Sequence, residues 1–139
     1  MLYVYNVTRQ GYINLGTRIA GTPWARLRGF LGKMRLRSDE ALWVVPSRGI
    51  HTIGLMFPID VIYLDSALRV VHLIESLGRF RIAPIRWRCD SVLELPARSI
   101  QGSGTEPGDQ LMICTPGEME QYWHARQEKK VGPQTQGAA

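Results

Sequence analysis

Residues 49–65 read GIHTIGLMFPIDVIYLD, and the rest of the chain is organised around them. Here an apolar run is interrupted by one histidine, one threonine, two aspartates and a proline. Burying a polar group without a partner is costly, so this stretch is either the most constrained part of the fold or a functional site. Alternation along 59–64 places Asp60 and Asp65 on opposite strand faces, which argues against a two-carboxylate hydrolase.

Short strands separated by turns extend outward from this stretch. Residues 2–7 and 12–19 alternate and predict a hairpin with Gly11 supplying the turn. Thr22-Pro23 is typical of a helix start and predicts a helix over about 23–33. Charge placement favours a second helix from Glu118 to about Lys129. Apolar, β-rich segments predict the remaining strands, near residues 41–45, 50–55, 59–64, 69–77, 91–96 and 110–114.

These elements predict a mainly β, α+β fold. The βαβ alternation of a parallel doubly wound sheet is absent, so we expect a small antiparallel β barrel or sandwich with one covering helix and a C-terminal helix. The length of 139 residues suits one domain. We expect a single globular domain over residues 1–128 and a small, polar, disordered tail over 129–139.

Composition is that of a soluble globular protein, with 45% hydrophobic and 21% charged residues. No apolar run reaches the roughly 20 residues of a spanning helix, and no signal-peptide pattern opens the chain. The expected compartment is the cytoplasm. Cys89 and Cys114 lack metal-ligand spacing, so we expect two reduced cysteines and neither a metal nor a cofactor.

The net charge of +5 is unevenly distributed. Residues 1–38 contain seven basic side chains and no acidic one. Such a segment can attract nucleic acid, anionic lipid or an acidic protein. The simpler interpretation is a solvated basic face without a specific partner.

The candidate functional residues are polar groups in apolar surroundings: His51, Thr52, Asp60, Asp65 and Glu94. A histidine beside carboxylates can act as a general base, bind a metal or orient a ligand. In the structural interpretation Asp60 accepts backbone N–H bonds and locks the turn after Pro58, while His51 donates to a carbonyl. No nucleophile motif, phosphate loop or zinc-protease motif is present, so no catalytic or metal-binding residue is assigned.

A second candidate lies in residues 79–88, where arginines alternate with aromatic side chains. Stacking combined with phosphate contacts is how single-stranded nucleic acid is commonly held. The same sequence pattern is also expected of an exposed loop whose aromatic residues pack inward and whose arginines point outward. The candidate anion-binding residues are Arg79, Arg81, Arg86 and Arg88.

Residues 51–65 resemble the signature H-T-F-G-M-x-F-P-I-D-V-V-F-L-D of the bacterial and archaeal domain-of-unknown-function family number 192. Residues 28–31, 92–97 and 108–109 resemble that family's R-G-L/F-L, V-L-E-L-P-A and G-D elements, in the same order. The chain departs from the pattern at Ile53, Leu55 and Arg98, where the family usually has Phe, Met and Gly. An arginine at the last position disfavours a positive φ. The resemblance implies a compact β-rich domain and no established activity.

Three functional hypotheses remain open. The first is a binding or accessory module without catalysis, whose partner is unidentified. The second is a small enzyme or a protein that binds an anionic ligand or acidic partner, with a site around His51, Thr52 and Asp60. The third is nucleic-acid binding through the basic segments 18–37 and 79–88.

Overall fold

The structure is a computed structural model that describes residues 1–22, 36–48, 57–78 and 84–132 in full, and residues 50–51 and 82–83 by backbone alone. This part of the chain contains nine strands and two helices. The strands are β1 (Leu2–Asn6), β2 (Gly11–Ala20), β3 (Ala41–Val44), β4 (Ile50–His51), β5 (Ile59–Leu64), β6 (Val70–Leu77), β7 (Ile82–Ala83), β8 (Ser91–Pro96) and β9 (Leu111–Cys114). The helices are α1 (Ser99–Ser103) and α2 (Pro116–Val131).

Seven strands form one curled, mixed sheet in the order β6-β5-β8-β3-β2-β1-β9, which makes a half-barrel. Strands β4 and β7 form a separate two-stranded sheet. The mainly β prediction is confirmed. One pair departs from the antiparallel expectation, since β2 and β3 run parallel with Thr17 opposite Ala41. The 20-residue connection between them is long enough for the crossover that parallel neighbours require.

The two edge strands of the sheet meet at one end. Arg69, just before β6, forms an antiparallel bridge with Gln110, just before β9. The Gly108 N–H donates to the Val70 carbonyl at 2.7 Å, and the Val70 N–H donates to the Asp109 carbonyl at 2.9 Å. The half-barrel is therefore closed at this end by backbone bonds between its edges.

Strand β5 is buried on both faces, because all six of its residues are inaccessible to solvent. One face contributes Val61 and Tyr63 to a core cluster that also contains Leu42 and Val92, here called the Tyr63 cluster. The other face contributes Ile62 and Leu64 to the Ile62 cluster, whose buried members come from six strands and from α1. The predicted alternation along 59–64 is thus confirmed.

The hairpin of β1 and β2 is confirmed, but its turn differs from the prediction. Gln10, with φ of +56°, adopts the left-handed conformation, whereas Gly11 is the first residue of β2. The Asn6 side-chain oxygen accepts a bond from the Arg9 N–H at 3.0 Å, which stabilises the turn locally. The predicted helix over 23–33 and residues 52–55 of the predicted strand lie outside the described residues.

Helix α2 begins earlier and ends later than predicted. Thr115 and Glu118 form a capping box, in which the Thr115 hydroxyl accepts from the Glu118 N–H at 3.2 Å and the Glu118 carboxylate accepts from the Thr115 N–H at 2.9 Å. Residues 129–131 belong to this helix. The helix packs through Met119 onto Tyr5 and Cys114. Residues 133–139 lie outside the described residues.

Candidate functional site

Asp60 is completely buried and accepts two backbone hydrogen bonds, one on each carboxylate oxygen. Oδ1 accepts from the N–H of Ser76, which lies in an irregularity of β6 with φ of +51°, and Oδ2 accepts from the N–H of Ile100 in α1; both distances are 2.9 Å. The prediction that Asp60 accepts backbone N–H groups is confirmed. The donors, however, lie on β6 and α1 and not in the turn after Pro58.

The start of α1 depends on this carboxylate. Arg98, the residue before the helix, offers no side-chain cap and has φ of +73°. An arginine disfavours a positive φ, yet the structure has one at this position. Asp60 supplies the acceptor that the first turn needs, and the Arg98 carbonyl accepts from the Gly102 N–H at 2.8 Å. These bonds hold Arg98 in a conformation that costs a side-chain-bearing residue roughly 1–2 kcal/mol.

Replacing Arg98 with glycine is expected to stabilise the protein by about 0.5 kcal/mol. Relief of the left-handed strain outweighs the extra freedom that glycine gives the unfolded chain. Urea unfolding measures the change, and Arg98→Ala is the control because it keeps the Cβ atom and therefore the strain. Equal stabilisation by alanine and glycine would show that φ at this position is not the cause.

Asp65 is held in a local turn at the far end of β5. Its Oδ1 atom accepts from the N–H groups of Ala67 and Arg69, each at 2.9 Å. The Leu68 N–H donates to the Asp65 carbonyl at 3.0 Å. Asp65 thus occupies the turn that its side chain favours, as predicted.

Glu94 is also completely buried, but it lies on the other sheet face from Asp60. On β8 it is paired with Val61 and Leu42, which belong to the Tyr63 cluster, whereas Asp60 is paired with Leu95 of the Ile62 cluster. The described carboxylates Asp60, Asp65 and Glu94 are therefore not brought together into one site.

The remaining predicted site residues are only partly described. His51 belongs to β4, where its backbone pairs with Ile82 of β7. Thr52, Arg79 and Arg81 lie outside the described residues. The structure therefore gives side-chain geometry for Arg86 and Arg88 alone among the predicted anion-binding residues.

Arg86 and Arg88 line an open cavity of about 280 Å³, here called the Arg86 pocket. The segment that follows β7 forms one wall, and β6 forms the other. No carboxylate is among the described residues that line it, which are Val71, His72, Ile85, Arg86, Trp87 and Arg88. The lining combines cationic, aromatic and apolar groups.

The wall of the pocket formed by residues 84–88 is fixed by hydrogen bonds from three directions. The Tyr63 hydroxyl donates to the Pro84 carbonyl at 2.7 Å. The Arg86 N–H donates to the Arg48 carbonyl at 3.0 Å, and the Cys89 N–H donates to the Arg86 carbonyl at 3.0 Å. Hydrogen bonds therefore hold in place the backbone that carries the side chains of this segment.

Two arginines, Arg86 and Arg88, line the pocket, and a third, Arg48, contacts Trp87 of the same wall. Arg48 lies 5.4 Å from the ring centre of Trp87, and Arg86 Nη2 lies 3.1 Å from His72 Nε2. Within the part of the chain that the structure describes, neither of these arginines nor Arg88 forms an ion pair with a carboxylate. The pocket rim therefore has an excess of positive charge.

The contact between His72 and Arg86 determines the protonation state of the histidine. A guanidinium has only donors, so Nε2 of His72 must be the acceptor and the ring is neutral. Burial, and then the positive charge of Arg86, lower the pKa of His72 below its ordinary 6.5. Burial raises the pKa of the neighbouring Tyr63 to about 12, although Arg86 acts in the opposite direction. Tyr63 therefore stays protonated and keeps its bond to Pro84.

Both cysteines are free, as predicted, and both are buried. Burial raises the pKa of the Cys89 thiol, whose Sγ also donates to the Ser91 carbonyl at 2.9 Å. A thiol in this state is a poor nucleophile. Among the described residues, no three His, Cys, Asp or Glu side chains lie close enough to hold a metal ion.

A buried polar network that sequence reasoning missed surrounds Asp109. Its Oδ2 atom accepts from Asn6 Nδ2, Arg9 Nε and the Glu106 N–H, each at 3.0 Å. Burial alone would raise the pKa of Asp109, but these hydrogen bonds outweigh it and the pKa is lowered. The network joins β1 to the loop before β9, and only the Gly108-Asp109 motif indicated it in the sequence.

Neither described helix is long and apolar enough to pass through a lipid bilayer. The fold is similar to that of a protein of unknown function from Novosphingobium aromaticivorans DSM 12444, with 18% identity and a TM-score of 0.66, covering 80% of this chain and 82% of that one. It is also similar to a proposed transcription regulator from Sinorhizobium meliloti 1021, with 19% identity and a TM-score of 0.68, covering 81% and 91%. These similarities concern the fold alone.

No curated protein matches the chain. The model of the DUF192 family, described as Uncharacterized ACR, matches residues 5–113, which run from β1 through most of β9 and include the Asp60, Glu94 and Asp109 positions. Helix α2 lies beyond the matched region. The match confirms the resemblance drawn from the sequence, and the chain belongs to the DUF192 family.

Proposed function

We propose that this protein is a binding module that holds the anionic group of a ligand in the Arg86 pocket, without covalent chemistry. The observation that carries the proposal is that two guanidinium side chains, of Arg86 and Arg88, line the pocket and neither forms an ion pair with a described carboxylate. Arginine presents a planar fork of donors that matches carboxylate, sulfate and phosphate oxygens.

The fixed backbone of residues 84–88 supports the same proposal. Binding is tighter when the groups that contact the ligand are ordered beforehand, because less freedom is lost on association. Here Tyr63 and Arg48 hold the segment that bears Arg86 and Arg88. The arginines thus support the anionic-ligand part of the second hypothesis, although not its site around His51, Thr52 and Asp60.

The titratable side chains near the pocket support binding rather than catalysis. His72 Nε2 is occupied by Arg86, the Tyr63 hydroxyl donates to a carbonyl, and the Cys89 thiol is buried. Each of these three described groups is already engaged in a structural hydrogen bond.

Titration with sulfate, whose charge is constant near neutral pH, tests the proposal. We expect Arg86→Gln to weaken sulfate binding about tenfold, because a charge-assisted hydrogen bond contributes about 1.5–3 kcal/mol. Arg98→Gln removes the same charge outside the pocket and is the matched control. NMR chemical-shift titration gives both affinities, and equal binding by the two variants would contradict the proposal.

The pocket also predicts a pH dependence of anion binding. A bound anion offsets the charge of Arg86 and so makes protonation of His72 easier, and by linkage protonation of His72 then favours the anion. Because the pKa of His72 in the folded protein is below 6.5, we expect sulfate to bind about fivefold more tightly as the pH falls from 6.5 toward that lowered pKa, and His72→Phe to abolish this dependence. Among the described residues, the charged and titratable groups in contact with His72 are Arg86 and Tyr63, and Arg88 lines the same pocket.

Without an anion, the same histidine affects folding in the opposite sense. Its folded pKa is below 6.5, so the unfolded chain takes up the proton first. The stability that depends on neutral His72 is complete above about pH 6.5 and is lost as the pH falls toward the folded pKa. Thermal unfolding between pH 5 and 7.5 checks this sign, because His72→Phe should show a smaller acid-induced decrease than wild type.

A further inference from the structure

We propose that the ligand of the Arg86 pocket carries a flat aromatic ring beside its anionic group, and that its chemical class is a nucleotide, in which a sugar joins the base to the phosphate. This inference rests on the proposed function. It adds a role for Trp87, which anion binding alone does not require.

The first observation is the exposure of apolar side chains on a fixed segment. Trp87 is 80% exposed and Ile85 is 63% exposed. Both belong to the wall whose backbone is held by hydrogen bonds to Pro84 and Arg86. A tryptophan on a positioned backbone that still faces solvent is typical of a contact surface, not of a collapsed loop.

The second observation is the position of Arg48 against the indole. The guanidinium lies 5.4 Å from the ring centre, within the range of a cation–π contact. This contact restrains the orientation of Trp87 and places positive charge beside it. Arg48 covers one face of the indole, and the exposure of Trp87 leaves the other face for a stacked base.

The third observation is the size of the site. The cavity of about 280 Å³ lies at the lower end of the range for small-molecule sites, and two of its six lining residues are arginines. It suits one ring with one anionic group. Stacking on an aromatic side chain together with arginine contacts to phosphate is the usual way in which unpaired bases are held.

An acidic protein segment is the main competing ligand, since arginine and tryptophan are also common at protein interfaces. Such a segment supplies carboxylates without a stacking ring. Binding of a nucleotide should therefore depend on an aromatic side chain at position 87, whereas binding of an acidic peptide should not.

Calorimetric and NMR titrations with four probes test the inference: AMP, ribose 5-phosphate, a single-stranded hexanucleotide and a hexaglutamate peptide. We expect AMP to bind about tenfold more tightly than ribose 5-phosphate. Trp87→Leu should abolish this difference, whereas Trp87→Phe, which keeps a ring, should retain most of it. Arg86→Gln should weaken both probes.

Binding of the hexanucleotide distinguishes a nucleic-acid strand from a free nucleotide as the natural ligand. Tighter binding of the hexanucleotide than of AMP, with affinity that falls as salt rises, would identify a nucleic-acid strand as the source of the base. Equal or weaker binding would identify a free nucleotide. Either result supports the inference, provided that Trp87→Leu weakens binding.

Other outcomes would overturn it. Equal affinities for AMP and ribose 5-phosphate would show that the ligand needs no aromatic ring. The proposal that the pocket binds an anion would still stand. If hexaglutamate alone bound tightly, and Arg86→Gln abolished that binding, the ligand would be an acidic peptide and not a nucleotide. Failure of every probe, sulfate included, would overturn the proposed function together with this inference.

Discussion

Replacing Asp60 with asparagine is expected to destabilise the protein by about 3 kcal/mol, which corresponds to a decrease in Tm of about 10 °C. Both carboxylate oxygens of Asp60 accept a backbone N–H, from Ser76 and from Ile100, in a fully buried site. An amide has only one oxygen. One N–H would therefore face an NH₂ group and lose its acceptor where no solvent can replace it.

Asp65→Asn is the matched control for this change. Asp65 also accepts two backbone N–H groups, but both bonds end on its single Oδ1 atom. An asparagine can keep both bonds with its one oxygen, so we expect a change within about 0.5 kcal/mol. Thermal and urea unfolding of the two variants measure the contrast. An unchanged midpoint for Asp60→Asn would mean that the carboxylate is not held for stability and would return it to the list of functional candidates.

Gly16→Ala is expected to be at least as damaging, with a loss of about 3 kcal/mol or more. A Cβ atom at position 16 would overlap the carbonyl oxygen of Asp39 and lie 2.8 Å from its carbonyl carbon. Neither atom can move away easily, because Asn14 donates to the carbonyls of Ser38 and Glu40 at 3.2 and 3.3 Å and accepts from the Gly16 N–H at 2.9 Å. Asn14 therefore holds residues 38–40 against β2 at the point where the new Cβ atom would overlap Asp39.

Gly11→Ala, in the same strand, provides the control. Nothing lies within 4 Å of a Cβ atom at that position, so we expect a change within about 0.5 kcal/mol. Urea unfolding of both variants measures the difference. A Gly16→Ala protein as stable as Gly11→Ala would show that the segment around Asp39 can withdraw from β2.

Local sequence patterns were sufficient for the parts of the fold that depend on neighbouring residues. Alternation identified β5, and the turn preference of aspartate located Asp65. A local signal for the start of α2 was also present, since Thr115 and Glu118 have the spacing of a capping box. That signal would have corrected the predicted start at Glu118.

Features that depend on distant residues could not be predicted in the same way. The donors to Asp60 lie 16 and 40 positions away, and they explain why Arg98 can hold a positive φ that its residue type disfavours. The Arg86 pocket shows the same limit. Arg86 stood out in the sequence, but Arg48 and His72 reach it only through the pairing of separate strands.

The pairing of β1 with β9 has a consequence for synthesis on the ribosome. Asn6 lies opposite Leu111 and Tyr3 opposite Cys114, so one side of the N-terminal strand is completed by residues made more than 100 positions later. The hairpin of β1 and β2 can form early, yet its outer edge has no partner until almost the whole family region has been translated. An unpaired edge is open to association with other chains, and pairing across such a long separation is slow. We therefore expect the nascent chain to be most prone to aggregation in the interval before β9 emerges, and any fragment that ends before Leu111 to keep that vulnerability permanently.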